Sequence, residues 1–107
     1  MGFFAMPLDE SQYHTLADEL LEKLFDELDE AIGDVADIDL QDGILNIEFD
    51  AGGVYIINKN AINREIWMAS PKSGASHYAY VEGAWTGTRD QADFLARLGD
   101  ELKVSLS

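Results

Sequence analysis

The apolar residues of this chain change their spacing near residue 36, and that change restricts its fold more than any other feature. From Asp9 to about Ile32 they recur at intervals of three and four, which is typical of a helix with one buried stripe. The stripe consists of Tyr13, Leu16, Ala17, Leu20, Leu21, Leu24, Leu28, Ala31 and Ile32. Asp9 and Gln12 have the spacing of a capping box, Ser11 is an alternative cap, and Gly33 is expected to end the helix.

From Ala36 onwards the apolar residues alternate with polar ones, which predicts strands with one buried face. Residues 36–49 should form a hairpin around the sequence QDG, because Asp-Gly pairs favour tight hairpin turns. Further strands are predicted at 54–58, 65–69, 77–81 and 84–87, with turns at 70–74 and 82–83. The sequence therefore predicts a sheet of five or six antiparallel strands.

A second helix is predicted to close the chain. Thr88 and Gln91 have capping-box spacing, and a second apolar stripe follows them. Its members are Phe94, Leu95, Leu98 and Leu102. Because both helical stripes need cover, we expect both helices on one face of the sheet, with the other face open to water. The expected fold class is α+β, a two-layer α-β sandwich.

The length of 107 residues is enough for one domain with its own core, so we expect a single domain over residues 1–107. The first eight residues are expected to be an extension or disordered, and Met6 is a candidate for the natural start.

Several classes of protein and site are excluded or disfavoured by composition. Cysteine is absent, which rules out disulfide scaffolds, thiolate metal sites and cysteine nucleophiles. The chain has no long apolar run and no basic segment before the apolar N-terminal residues, so neither membrane insertion nor export is indicated.

The negative charge is confined to the first half of the chain. The net charge is −14, and residues 1–50 carry fifteen acidic residues against Lys23 alone, whereas residues 51–107 carry six of each sign. This segregation favours a localised acidic face over a general solubility adaptation. Duplex nucleic acid is an improbable ligand because it is itself an anion.

The acidic ridge, as we call this surface, is predicted to follow the outer side of the first helix and continue into the first strand. Its eleven carboxylates are Asp18, Glu19, Glu22, Asp26, Glu27, Asp29, Glu30, Asp34, Asp37, Asp39 and Asp42. Like-charged neighbours on the helix cost about 1 to 3 kcal/mol, and the last two turns also oppose the helix dipole. The ridge is either a solvated helix face or a surface that attracts metal ions or a basic protein. Surface carboxylates of this kind bind cations weakly and at several places.

No catalytic residues can be assembled from the sequence. Phosphate-binding loops and nucleophile motifs have no match, and the two histidines, His14 and His77, lie far apart in the chain. Alternation places Trp67 on the open sheet face, with Asn58 and Asn60 as candidates for the same face and Arg64 nearby. Such a tryptophan is either the anchor of a protein interface or a flat lid over neighbouring strands.

The chain resembles the frataxin family, most closely its bacterial form, from about Ser11 to Leu102. Three stretches carry the resemblance: the acidic helix YHTLADELLEKLFDELDE, the hairpin DIDLQDGILNIEF, and YIINKNAINREIWMASPKSG. The third is the most specific, because it is similar to the family's third strand, its connecting loop, the Glu-Ile-Trp strand and the Ser-Pro-x-Ser-Gly turn.

The resemblance implies an iron-binding accessory of iron–sulfur cluster assembly, which contacts the cysteine desulfurase and the scaffold protein. It implies iron ligands at the end of the first helix and on the first strand, where this chain has Asp26, Asp29, Glu30, Asp37 and Asp39. Glu22 belongs to the same ridge. We expect iron, Fe2+ or Fe3+, to bind weakly at several surface sites of a monomer that could oligomerise with iron.

The sheet residues Asn58 and Trp67 correspond to partner-binding residues of the family, and Asn60, Arg64 and His77 are expected to contribute. Two departures bear on this surface. The loop from Asn58 to Ile62 lacks the family's usual proline, and His77 stands where mitochondrial members often carry arginine. The absence of an arginine-rich leader favours a bacterial cytoplasmic protein over a mitochondrial precursor.

Two rival functions stay open at this stage. A weak ferroxidase or iron-storage protein would use the same carboxylates to bind ferrous iron and favour its oxidation. An acidic mimic of nucleic acid would occupy a basic protein, although Trp67 and the Ser-Pro-Lys-Ser-Gly turn have no role in it.

Overall fold

A computed structural model describes residues 8–107 and contains two helices and six strands. The elements are α1 (Glu10–Ile32), β1 (Ala36–Gln41), β2 (Ile44–Phe49), β3 (Val54–Asn60), β4 (Glu65–Ser70), β5 (Gly74–Val81), β6 (Ala84–Gly87) and α2 (Phe94–Leu102). The predicted start at Met6 and most of the predicted N-terminal extension lie outside the described residues. Leu8 is half-buried and packs against the core.

The first helix begins where its capping box predicts. The backbone N–H of Gln12 donates to Asp9 Oδ1 at 2.7 Å, and the N–H of Asp9 donates to Gln12 Oε1 at 3.2 Å. Gly33 caps the other end. The hydroxyl of Tyr13 donates to the carbonyl of Glu65 at 2.8 Å and so fixes the helix to β4, and burial raises the pKa of Tyr13 to about 12.

The six strands follow one another across the sheet in chain order, and every neighbouring pair is antiparallel. Tight turns allow this order. In the first hairpin Asp42 and Gly43 have φ angles of 52° and 75°, and Glu82 and Gly83 have 49° and 86° in the last. Positive φ at both central residues is the geometry of the turn that matches the twist of paired strands.

One hydrophobic core lies between the helices and one face of the sheet. α1 packs over β1 and β2, and α2 packs against β6. The buried positions alternate along the inner strands, as at Leu45 and Ile47 on β2 and at Ile66 and Met68 on β4. The predicted two-layer α+β sandwich is confirmed. Neither helix of residues 8–107 has the length and hydrophobicity of a membrane-spanning segment.

The predicted capping box of Thr88 and Gln91 is wrong, because α2 begins six residues after Thr88. The helix is capped by Asp93, whose carboxylate accepts a hydrogen bond from the N–H of Ala96 at 3.0 Å. Before it, the chain turns: the N–H of Thr88 donates to the carbonyl of His77 at 2.9 Å, and Gln91 has a positive φ of 59°. The N–H of Thr88 is therefore not available to the side chain of Gln91, and the backbone of Gln91 is not helical.

Glu101 joins the end of α2 to the turn between β4 and β5. Its carboxylate accepts hydrogen bonds from Tyr55 at 3.0 Å, Ser70 at 2.5 Å and Ser73 at 2.7 Å. Burial opposes ionisation, but the hydrogen bonds from Ser70, Ser73 and Tyr55 outweigh it, so the pKa of Glu101 is lowered. The Nζ of Lys72 in the same turn donates to the backbone carbonyl of Glu101 at 2.9 Å. This cluster fixes the Ser-Pro-Lys-Ser-Gly turn.

We predict that Glu101→Gln lowers the free energy of unfolding at neutral pH by about 1–3 kcal/mol, because an amide cannot accept all three hydroxyl donors as well as a carboxylate does. The stabilisation by Glu101 is complete above the ordinary glutamate pKa of about 4.3 and is lost as pH falls through its lowered folded-state pKa.

Urea unfolding from neutral to acid pH measures both effects. The wild type should lose its advantage over Glu101→Gln in the acid range, and Glu82→Gln, which changes an exposed glutamate, should match the wild type throughout. An advantage that is independent of pH would contradict an ionised role for Glu101.

Candidate functional site

The candidate iron ligands all lie on the surface of the protein. The six are Glu22, Asp26, Asp29, Glu30, Asp37 and Asp39, and each is exposed. α1 turns its apolar stripe to the sheet, so its carboxylates face water on the other side. β1 is an edge strand, and Ile38 and Leu40 pack against the core while Asp37 and Asp39 are exposed. The acidic ridge therefore occupies the β1 end of the molecule.

Only part of the ridge is neutralised by neighbouring cations. The Nζ of Lys59 lies 2.7 Å from Asp18 Oδ1, and the Nζ of Lys23 lies 4.0 Å from Glu27 Oε2. Glu27 also accepts hydrogen bonds from Ser107. Within residues 8–107, the six candidate ligands form no ion pair within 4.0 Å. Their repulsion is therefore relieved mainly by solvent and mobile ions.

The ridge does not contain a preformed metal centre in the described part of the chain. No three acidic or histidine side chains of residues 8–107 are grouped so that they could hold one ion. The carboxylates of Asp37 and Asp39 have a second physical effect, since charges on an edge strand oppose pairing with the edge of another sheet. The surface can concentrate cations, but it imposes no coordination geometry on them.

The open face of the sheet carries a row of side chains across four strands. Ile44 on β2 pairs with Asn58 on β3, Asn58 pairs with Trp67 on β4, and Trp67 pairs with His77 on β5. Three of the five predicted partner residues therefore lie side by side. We call these four residues the sheet row.

The indole of Trp67 lies flat against the imidazole of His77. The ring centroids are 4.0 Å apart and the planes differ by 5°. The indole Nε1–H donates to Glu65 Oε1 at 2.9 Å, and the same oxygen lies 3.9 Å from His77 Nδ1. Trp67 is half-buried, so it combines a flat position over a neighbouring strand with an accessible surface.

The other two predicted partner residues lie at the end of the β3–β4 hairpin. The side-chain Oδ1 of Asn60 accepts a hydrogen bond from the N–H of Asn63 at 3.0 Å, which shapes the turn. Arg64 is exposed and has a positive φ of 53°. Asn60 is the last residue of β3 and shares the open face with Asn58 by alternation, whereas Arg64 belongs to the turn.

Sequence reasoning missed two features of the open face. Glu65 holds the indole of Trp67, and its position two residues before Trp67 on the same strand could have indicated this. Ile44 and Ile56 are large apolar residues with 47% and 40% of their surface exposed, and both belong to the open face by alternation. The sheet row therefore includes one exposed apolar residue, Ile44, and is bordered by another, Ile56; apolar surface of this kind is typical of the centre of a protein interface.

Comparison with known proteins identifies the family of this sandwich. The model of the frataxin-like domain matches residues 6–107. The chain belongs to the frataxin family. The expectation drawn from the acidic helix, the first hairpin and the Glu-Ile-Trp strand is confirmed.

Relatives of this family member occur in a yeast and in bacteria. The chain is 36% identical over 106 residues to the mitochondrial frataxin homolog of Saccharomyces cerevisiae, and the match covers 95% of this chain and 60% of the relative's length. It is 35% identical over 94 residues to the iron-sulfur cluster assembly protein CyaY of Vibrio cholerae, with 88% of each chain covered.

Solved frataxin structures have the same fold. The frataxin of Psychromonas ingrahamii superposes with a TM-score of 0.75 at 28% identity, covering 94% of this chain and 97% of that one. The trimeric frataxin of Saccharomyces cerevisiae, in a structure described as complexed with ferrous, superposes with a TM-score of 0.70 at 33% identity, covering 94% and 88%.

We predict that Asp26→Asn and Asp29→Asn each stabilise the protein, because each removes like-charge repulsion near the negative end of the helix dipole. The expected gain is about 0.5–1 kcal/mol in the free energy of unfolding at low salt, and it should shrink as salt is added.

Asp18→Asn is the matched control, since it removes the same charge from the same helix but loses the contact with Lys59. In urea unfolding, Asp26→Asn and Asp29→Asn should be more stable than the wild type, and Asp18→Asn should be less stable. Destabilisation by Asp26→Asn would mean that ridge repulsion is not a significant term.

Proposed function

We propose that this protein is an iron-binding accessory and regulator of iron–sulfur cluster assembly, and that it is not an enzyme. Its acidic ridge would bind iron and the cysteine desulfurase. Three facts support the proposal: membership of the frataxin family, the assembly role in the name of the Vibrio relatives, and the ferrous complex of yeast frataxin. The observation that carries it is a set of exposed carboxylates without ion-pair partners among residues 8–107.

The charge of the ridge supports the proposed iron binding. Carboxylate oxygens suit hard, highly charged cations, and the proposed ligands are Glu22, Asp26, Asp29, Glu30, Asp37 and Asp39. Without a preformed three-residue group among residues 8–107, each ion would be held by one or two side chains and by water. We therefore propose weak binding of Fe2+ or Fe3+ at several sites.

The same charge supports a contact with a basic surface of the desulfurase. Complementary charge speeds the encounter of two proteins and selects the orientation in which they meet. The proposed contact uses the helix side of the ridge, around Asp26 and Glu30. Iron and the desulfurase would then compete for, or share, the same carboxylates.

The sheet row supplies the second proposed contact, with the scaffold protein. Trp67 offers a large flat surface, Asn58 and His77 border it, and Ile44 adds apolar area. Asn60, at the end of β3, and Arg64, in the adjoining turn, would contribute as well. A central tryptophan surrounded by polar groups is the composition in which interface energy is usually concentrated.

The remaining expectations are part of the same proposal. By analogy with the Vibrio relatives, we propose a bacterial cytoplasmic protein. We also propose that it is a monomer that assembles in the presence of iron, since the yeast relative is trimeric in the structure complexed with ferrous. Weak ferroxidase activity is the second candidate function of the ridge, favoured by the ferrous complex of the yeast relative. Oxygen consumption in proportion to added ferrous iron would reveal it.

We predict that the double variant Asp26→Asn/Asp29→Asn weakens both iron binding and desulfurase binding. Two carboxylates are lost from the proposed sites, and the attraction of a basic surface falls with them. In anaerobic NMR titrations, the wild-type ridge signals should broaden with ferrous iron, and desulfurase binding should weaken as salt is raised.

Glu82→Gln/Asp100→Asn is the control, because it removes two exposed carboxylates from outside the ridge. This variant should behave like the wild type in both titrations. Equal losses in the two double variants would indicate a response to net charge alone, and desulfurase binding that ignores salt would contradict a contact led by the ridge.

We predict that Trp67→Phe weakens scaffold binding by about tenfold without changing iron binding. The change removes interface area and the Nε1–H bond to Glu65, and half-buried Trp67 is not part of the core. Calorimetry with the scaffold measures the loss, and the ferrous titration provides the control. Unchanged scaffold affinity, or a parallel loss of iron binding, would refute the division between the two surfaces.

A further inference from the structure

A polar cleft lies between the first half of β5 and α2, away from the acidic ridge. It has a volume of about 380 Å³. Its polar lining consists of Ser73, Ser76, His77, Arg89, Asp90 and Arg97. The protein has a net charge of −14, so a cleft lined by two arginines and a histidine differs in charge from most of its surface.

The short last strand opens this cleft. β6 pairs only with Tyr78–Val81, so the beginning of β5 extends past it without a strand on that side. The loop after β6 crosses this edge, where the N–H of Thr88 donates to the carbonyl of His77 at 2.9 Å. The loop brings Arg89 and Asp90 to the cleft, and the first turns of α2 bring Arg97.

One wall of the cleft is held by a chain of hydrogen bonds. The hydroxyls of Ser76 and Tyr78 lie 2.8 Å apart, and Arg97 Nη1 donates to the Tyr78 oxygen at 3.2 Å. Arg97 Nη2 forms an ion pair with Asp90. Arg97 is thus oriented by two partners, and Asp90 neutralises its charge.

Arg89 is the group that gives the cleft its surplus charge. It is exposed, and within residues 8–107 it has no carboxylate partner within 4.0 Å. A guanidinium presents a planar set of donors that fits phosphate and carboxylate oxygens. His77 also lines the cleft, at the edge where β5 separates it from the open face.

We propose that this cleft binds a small oxyanion, with a phosphate or carboxylate group held by Arg89 against the wall fixed by Arg97, and with His77 at the edge of the cleft. The concave shape favours a small free anion over the flat surface of a protein partner. The proposal does not depend on the function of the ridge, since it uses none of the ridge carboxylates.

An anion in the cleft would change the environment of Trp67 on the open face, because His77 contacts both places. The imidazole stacks on Trp67 with a centroid distance of 4.0 Å, so a change in its charge or position alters the environment of the indole. The indole N–H signal of Trp67 is therefore a reporter that lies outside the cleft. The oxyanion site and the sheet row share one residue.

The test is an NMR titration of the full chain with sodium phosphate, with sodium succinate, and with sodium chloride at matched ionic strength. Phosphate, succinate or both should shift the Arg89 side-chain N–H, the backbone signals of Ser76 and His77, and the Trp67 indole signal until they saturate. Phosphate alone would assign a phosphate site, succinate alone a carboxylate site, and both a general oxyanion site. Saturation by neither, or equal shifts with chloride, overturns the proposal.

Arg89→Gln should raise the half-saturating concentration about tenfold, the size expected for one charge-assisted hydrogen bond. Lys103→Gln removes the same charge from an exposed position outside the cleft and should bind like the wild type. Arg89 is exposed, so its replacement should leave the melting temperature unchanged. Equal affinity of Arg89→Gln and the wild type would also overturn the proposal.

Discussion

Burial of the α1 stripe against the sheet is the interaction on which the rest of the structure depends. Each of the buried leucines of α1, such as Leu21, Leu24 and Leu28, contributes about 1.5–3 kcal/mol, so the stripe outweighs the whole repulsion of the ridge, about 1–3 kcal/mol. The stripe also fixes the rotation of α1 about its own axis. The carboxylates on the opposite side of the helix must therefore face water. The packing of the core therefore sets the position of the acidic ridge, and burial of the stripe outweighs the repulsion among the ridge carboxylates.

The two layers of the sandwich separate the two proposed binding surfaces. The ridge lies at the β1 edge beside α1, whereas the sheet row crosses β2 to β5 on the face that no helix covers. The ion pair between Asp18 and Lys59 joins α1 to β3 at the limit of the ridge. A protein on the ridge and another on the sheet row would meet different faces, so one small domain could hold both. That arrangement fits the proposed accessory role in iron–sulfur cluster assembly.

Local patterns predicted the fold well, and contacts between distant residues limited the prediction of the site. The capping box of Asp9 and the Asp42-Gly43 turn depend on residues close in sequence, and both are confirmed. The capping box predicted at Thr88 was wrong because Thr88 and Gln91 form a turn instead, and Asp93 caps the helix. The hydrogen bonds of Glu101 span 31 residues to Ser70, and the stack of Trp67 on His77 requires the register of β4 and β5. The spacing of apolar residues along the chain does not predict such contacts between distant residues.

The geometry of the ridge also limits how the proposed iron binding could be selective. Exposed carboxylates without a preformed three-residue group among residues 8–107 cannot select one divalent cation by its coordination shape. Magnesium, calcium and manganese also prefer oxygen ligands, and only a higher charge, as in Fe3+, increases the attraction in proportion. Selectivity must then come from the supply of iron or from a partner that completes the coordination shell. A cation shared between the ridge and a partner gains ligands that neither surface has alone, which favours function within a complex over storage by the isolated protein.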